Sequence, residues 1–206
     1  MIRLGVTGGI GSGKSYVCNL LKAHGVLVYE ADREAKRLMT ESPEIKRKLT
    51  ELLGENAYLA DGGLNKPVVA DYLFGAAENA SRINSIVHPE VRKDFCLWAQ
   101  SAEGKAEIVA LEAAILYESG FDSEVDRVLM VYAPMELRIR RTVARDFTEE
   151  ESVRKRIGAQ MDDVEKMKRA DYVVINDGSK PLEPEIEGII NKVKSEEWRE
   201  RINLLK

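Results

Sequence analysis

The chain has 206 residues, 44% hydrophobic and 32% charged, a composition that suits one globular α/β domain with a small insertion and excludes a disordered or fibrous chain. Thirty-one basic residues against thirty-five acidic ones leave a net charge of -4, so no global positive field marks the chain for nucleic acid or an anionic membrane. Cys18 and Cys96 lie far apart in helix-like stretches, which reads as two buried free thiols rather than a disulfide or a metal site.

In chain order, the apolar run Ile2-Arg3-Leu4-Gly5-Val6 reads as a first strand and leads into residues 8–15, Gly-Gly-Ile-Gly-Ser-Gly-Lys-Ser. A strand at the outset carries no signal-peptide pattern, and no apolar run approaches the roughly 20 residues that span a bilayer; a cytoplasmic protein is expected. Residues 8–15 form a complete G-x-x-x-x-G-K-[ST] phosphate loop. Gly8, Gly9, Gly11 and Gly13 open backbone angles closed to other residues, so successive N–H groups around Ser12 can turn inward. Lys14 supplies a point charge and Ser15 a hydroxyl for Mg²⁺, which together predict a nucleoside triphosphate as ligand.

Residues 15–23 put Val17, Leu20 and Leu21 on one helical face, and His24-Gly25 ends that helix. Val26-Leu27-Val28-Tyr29 is a second strand, followed by Glu30-Ala31-Asp32 and a helical pattern over 33–39. Asp32 thus stands where a strand ends, and spacing leaves two roles open: holding an acceptor hydroxyl, or capping the helix. From 43 to about 104 the pattern is helical, broken near Gly54 and at Asp61-Gly62-Gly63, with amphipathic stretches over 66–74 and 76–87. Residues 60–104 read as a helical substrate-covering insertion in a core made of 1–59 and 105–206.

Glu107-Ile108-Val109-Ala110-Leu111, Arg127-Val128-Leu129-Met130-Val131-Tyr132 and Tyr172-Val173-Val174-Ile175 are nearly continuous apolar runs, as central parallel strands require. With the first two they predict a five-stranded, doubly wound parallel sheet with helices on both faces and ligands at the carboxyl ends of the strands. A helix over 135–144 leads to Thr148, a candidate N-cap for a second helix bearing Arg154 and Arg156, and residues 183–201 read as a charged packing helix.

A phosphate loop by itself serves kinases, GTPases, motors and nucleotide sensors alike. The guanine-reading Asn/Thr-Lys-x-Asp pattern is missing, since Asn176-Asp177-Gly178 lacks the lysine. Arginines crowd residues 138–145, and Arg141 and Arg145 are four apart on one helical face, within reach of the same phosphates; residues 138–162 therefore read as a mobile lid. Lys14, Mg²⁺ and the lid arginines would stabilise charge on a moving phosphoryl group while Asp32 positions the acceptor. Another small-molecule kinase of the nucleoside monophosphate type and a non-catalytic nucleotide sensor stand as alternatives.

The residues narrow this further. Thr7-Gly8-Gly9-Ile10-Gly11-Ser12-Gly13-Lys14-Ser15, Glu30-Ala31-Asp32 with Ala35 and Arg37, Val87-His88-Pro89, Ile115-Leu116-Tyr117-Glu118, Arg141-Thr142, Arg145-Asp146 and Gln160 resemble the dephospho-coenzyme A kinase family in order and spacing over nearly the whole chain. The resemblance implies transfer of the ATP γ-phosphate to the ribose 3′-hydroxyl of dephospho-coenzyme A, with Mg²⁺, in a monomer or small homo-oligomer without nucleic-acid or membrane partners. It implies that Gly11 to Tyr16 wrap the ATP phosphates, that Asp32 is the acceptor-side base or positioner, and that Arg141 and Arg145 belong to the lid. It further implies that His88, Tyr117 and Glu118 lie on the coenzyme side; taken alone, His88 before Pro89 reads rather as a helix-start residue satisfied by backbone bonds. The chain departs from the family at Ala114, where proline is usual, and at Glu112, where aspartate is usual; Glu112 could still reach a Mg²⁺-bound water. Tyr16 replaces the commoner threonine at a position that offers mainly its backbone N–H.

Overall fold

The computed structural model of the chain describes residues 1–76 and 78–195. Strands β1 (Ile2–Thr7), β2 (Leu27–Glu30), β3 (Ile108–Glu112), β4 (Arg127–Tyr132) and β5 (Tyr172–Ile175) form one sheet in the order β2-β3-β1-β4-β5. Every neighbouring pair is parallel, as the unbroken apolar runs require. β1 lies in register with β3 from Ile2↔Ile108 to Val6↔Glu112 and with β4 from Leu4↔Arg127 to Thr7↔Met130. The β1 end that feeds the phosphate loop is therefore flanked by two strands. β3 stands between β1 and β2, so the carboxyl end of β2 is one strand removed from the loop rather than beside it.

Side chains alternate across the sheet. Leu4, Val6, Ile108, Ala110, Leu129 and Val131 point to a core shared with helices α1 (Lys14–Ala23) and α9 (Glu183–Lys194); α1 contributes Val17, Cys18 and Leu21, and α9 contributes Ile186, Ile189, Ile190 and Val193. Each Val, Leu or Ile among them, fully buried, contributes roughly 1.5–3 kcal/mol. Gly5, Val109, Leu111, Val128 and Met130 face the other way and are buried as well. There β1 is so closely covered that a Cβ on Gly5 would come within 2.9 Å of Leu116 Cδ2.

The chain falls into two compact units, one made of Met1–Glu30 and the chain from Ala99 onward, the other of Ala31–Trp98. The first contains the sheet, α1 and α9, together with α6 (Met135–Asp146), α7 (Glu150–Gly158) and α8 (Asp163–Arg169). The second holds α2 (Ala31–Glu41), α3 (Pro43–Leu53), α4 (Lys66–Gly75) and all but the end of α5 (Asn79–Ser101). Helices α2 and α3 thus group with the helical unit, which begins at Ala31 and not near residue 60. Periodicity reveals a helix but not its tertiary neighbours. Here the neighbours are set partly by Arg37 of α2, which spans Glu34, Glu41 and Asp94 of α5, the last at 2.8 Å, and by the Tyr58 hydroxyl donating to Met39 O at 2.7 Å.

Several local expectations change. α2 starts directly after β2, so Asp32 is its second residue and sits past the capping position, its charge in the first turn where the helix end is positive. Helix α5 runs through Pro89, and His88 is a mid-helix residue rather than a helix start. An interior proline costs about 3 kcal/mol and leaves the Ser85 carbonyl without its helical N–H. Ile83, Val87, Val91 and Phe95, four residues apart and all buried, outweigh that cost. Cys18 is buried, but Cys96, one position round the helix from Phe95, is only half-buried. Residue 149, not Thr148, holds the cap position of α7. Helix α8 was hidden within a stretch without clear periodicity; Asp162 caps it by accepting from Val164 N at 2.9 Å. Of the expected helix over 183–201, residues 196–201 lie outside the described residues. No helix among the described residues is long and apolar enough to cross a membrane.

Candidate active site

The loop between β1 and α1 is shaped by its glycines and by what packs behind it. Gly13 adopts φ 94°, ψ 27°, a left-handed geometry that closes α1 at its N-terminus without a side-chain cap. A Cβ there would stand 2.0 Å from Asn176 Nδ2. The Ser12 N–H turns back to Gly9 O at 3.1 Å, which sets the tight bend. Lys14 Nζ donates to Gly8 O at 3.1 Å and lies 3.8 Å from Glu112 Oε1, with both side chains nearly buried. Glu112 ends β3 in register with Val6, just before the loop. An ammonium and a carboxylate thus meet at the carboxyl ends of the central strands, where the fold places its ligands.

The loop fits phosphate. Ser12 Oγ is buried without a hydrogen-bond partner among the described residues, a donor that a phosphate oxygen would satisfy. Among the described residues no three His, Cys, Asp or Glu side chains gather into a metal cage. The Ser15 hydroxyl at the start of α1 and the Glu112 carboxylate are nonetheless hard oxygen donors of the kind Mg²⁺ takes one or two at a time.

The arginines of α6 divide by depth. Arg138 is 2% exposed and pairs with Asp163, while its Nε donates to Ile10 O at 2.9 Å. Arg141 Nη1 donates to Asn176 O at 3.0 Å, a carbonyl whose own side chain donates from Nδ2 to Ser12 O at 2.9 Å. Arg145 is 63% exposed and forks onto Asp146, which also accepts from Arg156 at 3.0 Å. Hydrogen bonds from Arg145 and then Arg156 hold the Asp146 carboxyl well below the usual range. Arg141 and Arg145 share a helical face, but the structure does not bring them to one point: Arg141 is tethered behind the loop and Arg145 stands in solvent at the helix end.

Tyr117 and Glu118 follow β3. The Tyr117 ring is buried under the Arg169 guanidinium, 4.1 Å from its centroid, and burial pushes its hydroxyl up to about 12. Glu118 accepts from Met161 N at 2.8 Å and pairs at 3.0 Å with Lys166, a wholly buried ammonium that also donates to Ala114 O. Glu118 is committed to internal partners, and direct contact with a substrate would require exchanging them, whereas the buried Tyr117 hydroxyl has no hydrogen-bond partner among the described residues.

In the helical unit, Asp32 of α2 and His88 of α5 act on each other electrostatically. Burial first, then the Arg92 guanidinium, lower the His88 pKa from 6.5, and the Asp32 carboxylate opposes them. His88 is therefore a neutral imidazole at pH 7.

Arg138 and Asn176 have places in the site that sequence reasoning did not assign. Arg138 was one of several arginines on a basic helix, and only its depth separates it from Arg145. Asn176 carried a usable signal, since it directly follows β5 and the carboxyl ends of such strands gather the ligand.

Comparison with known proteins follows the same lines. The family model described as dephospho-CoA kinase matches residues 2–181. A dephospho-CoA kinase of Bacteroides fragilis is 48% identical over 185 residues, covering 90% of this chain and 89% of the relative. The crystal structure of TT1252 from Thermus thermophilus, 36% identical, superposes with a TM-score of 0.75 over 93% of this chain and 95% of its own. A shikimate kinase from Acinetobacter baumannii in complex with shikimate reaches a TM-score of 0.52 at 16% identity, over 94% of this chain and 93% of its own, and shares the fold alone.

Proposed function

The chain belongs to the dephospho-CoA kinase family, and from that premise we propose that it moves the γ-phosphoryl group of ATP to the ribose 3′-hydroxyl of dephospho-coenzyme A, completing coenzyme A. The observation that carries this reading is the Lys14 ammonium held between Gly8 O and Glu112 on a glycine loop, in a chain matched by that family over residues 2–181.

In phosphoryl transfer, charge spreads over the oxygens of the moving group, so fixed donors do most of the work. Within the stretch from Gly11 to Tyr16, the N–H groups of Gly11, Gly13, Lys14 and Ser15 and the Lys14 ammonium are those donors here, since the Ser12 and Tyr16 N–H groups donate to Gly9 O and Gly13 O. Ser15 and Glu112 are the residues that would hold Mg²⁺, which when bound neutralises charge between the β- and γ-phosphates. Asp32 orients the acceptor hydroxyl and takes its proton late, since little proton abstraction precedes a loose transition state. Residues 138–162 form the lid, with Arg145 leaving Asp146 to reach phosphate and Arg141 already tethered beside the loop. His88, Tyr117 and Glu118 serve the coenzyme side, and the helical unit carries its binding surface. On this reading the protein works in the cytoplasm on small molecules, without nucleic acid or membrane, as a monomer or small homo-oligomer.

The test is an ADP-release assay with Mg-ATP, with and without dephospho-coenzyme A, and with the product weighed by mass spectrometry. Turnover that depends on the acceptor and adds one phosphate to it is expected. Faster turnover with a nucleoside monophosphate or shikimate would overturn the assignment.

A further inference from the structure

Ile10 occupies the tip of the phosphate loop, and its peptide groups are gripped from both sides. Its N–H donates to Gln160 Oε1 at 3.0 Å, and its carbonyl accepts from Arg138 Nε at 2.9 Å. The Arg138 guanidinium lies against the loop backbone so closely that a Cβ on Gly9 would come within 2.3 Å of its central carbon. A guanidinium this buried needs a counter-charge, and Asp163, in the first turn of α8, supplies it. Both grips converge on residues 160–163, the joint between α7 and α8. The joint is itself pinned, by Met161 N to Glu118 and by the Asp162 cap.

The geometry points to Arg138 and Gln160 as positioning residues of the phosphoryl-transfer site: together they clasp Ile10 and hold the phosphate loop in its nucleotide-ready shape. The inference rests on the proposed reaction for its purpose, though not for its geometry. With the Ile10 N–H turned to Gln160, the loop's phosphate-facing amides begin at Gly11. Fixing the peptide before nucleotide arrives removes an ordering cost that binding would otherwise meet. Neither side chain need touch substrate.

A purely structural ion pair would stabilise the fold and no more, and two sets of variants separate the roles. Gln160→Leu removes the acceptor for Ile10 N–H, and Gln160→Glu retains an oxygen there. Arg138→Met strips both the clasp and the buried charge, whereas Arg138→Met with Asp163→Leu removes the two charges together and restores the fold's electrostatic balance. Each protein is titrated with Mg-ADP by calorimetry, its thermal midpoint is measured, and KM for ATP and for dephospho-coenzyme A are determined separately. Gln160→Leu and the Arg138→Met/Asp163→Leu pair are expected to weaken Mg-ADP binding and raise KM for ATP about tenfold, the worth of one hydrogen bond, with KM for the acceptor unmoved. Gln160→Glu is expected to bind like the parent. If the double variant recovers nucleotide affinity along with its thermal midpoint, or if Gln160→Leu binds Mg-ADP normally, the clasp is refuted. The titration needs no acceptor, so absent turnover with dephospho-coenzyme A would strike the proposed reaction while the titration still decides the clasp.

Discussion

At the scale of single residues, Asp32 carries the heaviest chemical assignment with the least local support. It stands in the first turn of α2, past the capping position, where its charge also meets the positive helix end. Asp32→Asn is expected to leave Mg-ADP affinity nearly unchanged and to lower kcat by roughly 10²–10⁴-fold. A loss below about tenfold in steady-state assays would return Asp32 to a helix-end role. His88 gives a prediction in pH. Its folded pKa is depressed below 6.5, so as pH falls through that value the unfolded chain binds the proton first and stability is lost until the folded imidazole also titrates. Between about pH 7.5 and about pH 5.5, the thermal midpoint of the parent should therefore fall further than that of His88→Gln. Parallel curves would contradict the depressed pKa. Cys18 belongs to the same scale: burial first, then the nearby Glu112 carboxylate, push its thiol up to about 12, which makes it inert at neutral pH.

At the scale of elements, the strands were legible and the helix ends less so. β4 and β5 coincide with the apolar runs that predicted them; β4 lies inside the sheet and is buried on both faces, so it admits few polar residues, and β5, though an edge strand, keeps a β-branched apolar run whose ends show in composition. The loop was legible for a different reason, since its chemistry is contained in eight consecutive residues. α5 was misread at Pro89 because a breaker is local, whereas the burial of Val87, Val91 and Phe95 that overrides it is tertiary. The same distinction explains the site. Lys14 could be named from the sequence, but Arg138 could not, because its neighbours Ile10 and Asp163 are distant in the chain. For α1, whose Leu21 is wholly buried in the sheet core, Leu21→Ala should cost about 2–5 kcal/mol by chemical denaturation. Because the helix starts at the loop's own lysine, nucleotide affinity should weaken with it. Ser42 caps α3 by accepting from Ile45 N at 3.3 Å, and Ser42→Ala should cost about 1 kcal/mol without touching nucleotide affinity, as thermal melts and titration together would show.

At the scale of the whole molecule, the order β2-β3-β1-β4-β5 has a consequence for the birth of the protein. β1 and the loop are synthesised before the other strands, yet the strands that flank β1 start at Ile108 and Arg127, and the backbone of Ser12 takes its hydrogen bond from Asn176. No hairpin lets β1 close on a sequence neighbour, so its strand pairings are all long-range and its folding is slow. At translation rates of roughly 5–20 residues per second, the loop waits on the order of ten seconds before its last buttress is made. Stalled nascent chains that expose residues up to about Arg127 should therefore show no nucleotide-dependent resistance to protease, and resistance should appear only once Asn176 has cleared the ribosome. Until then the growing polypeptide carries a glycine-rich segment and an apolar strand with nothing to pair with, which makes this early stretch a natural client for a chaperone waiting at the exit tunnel.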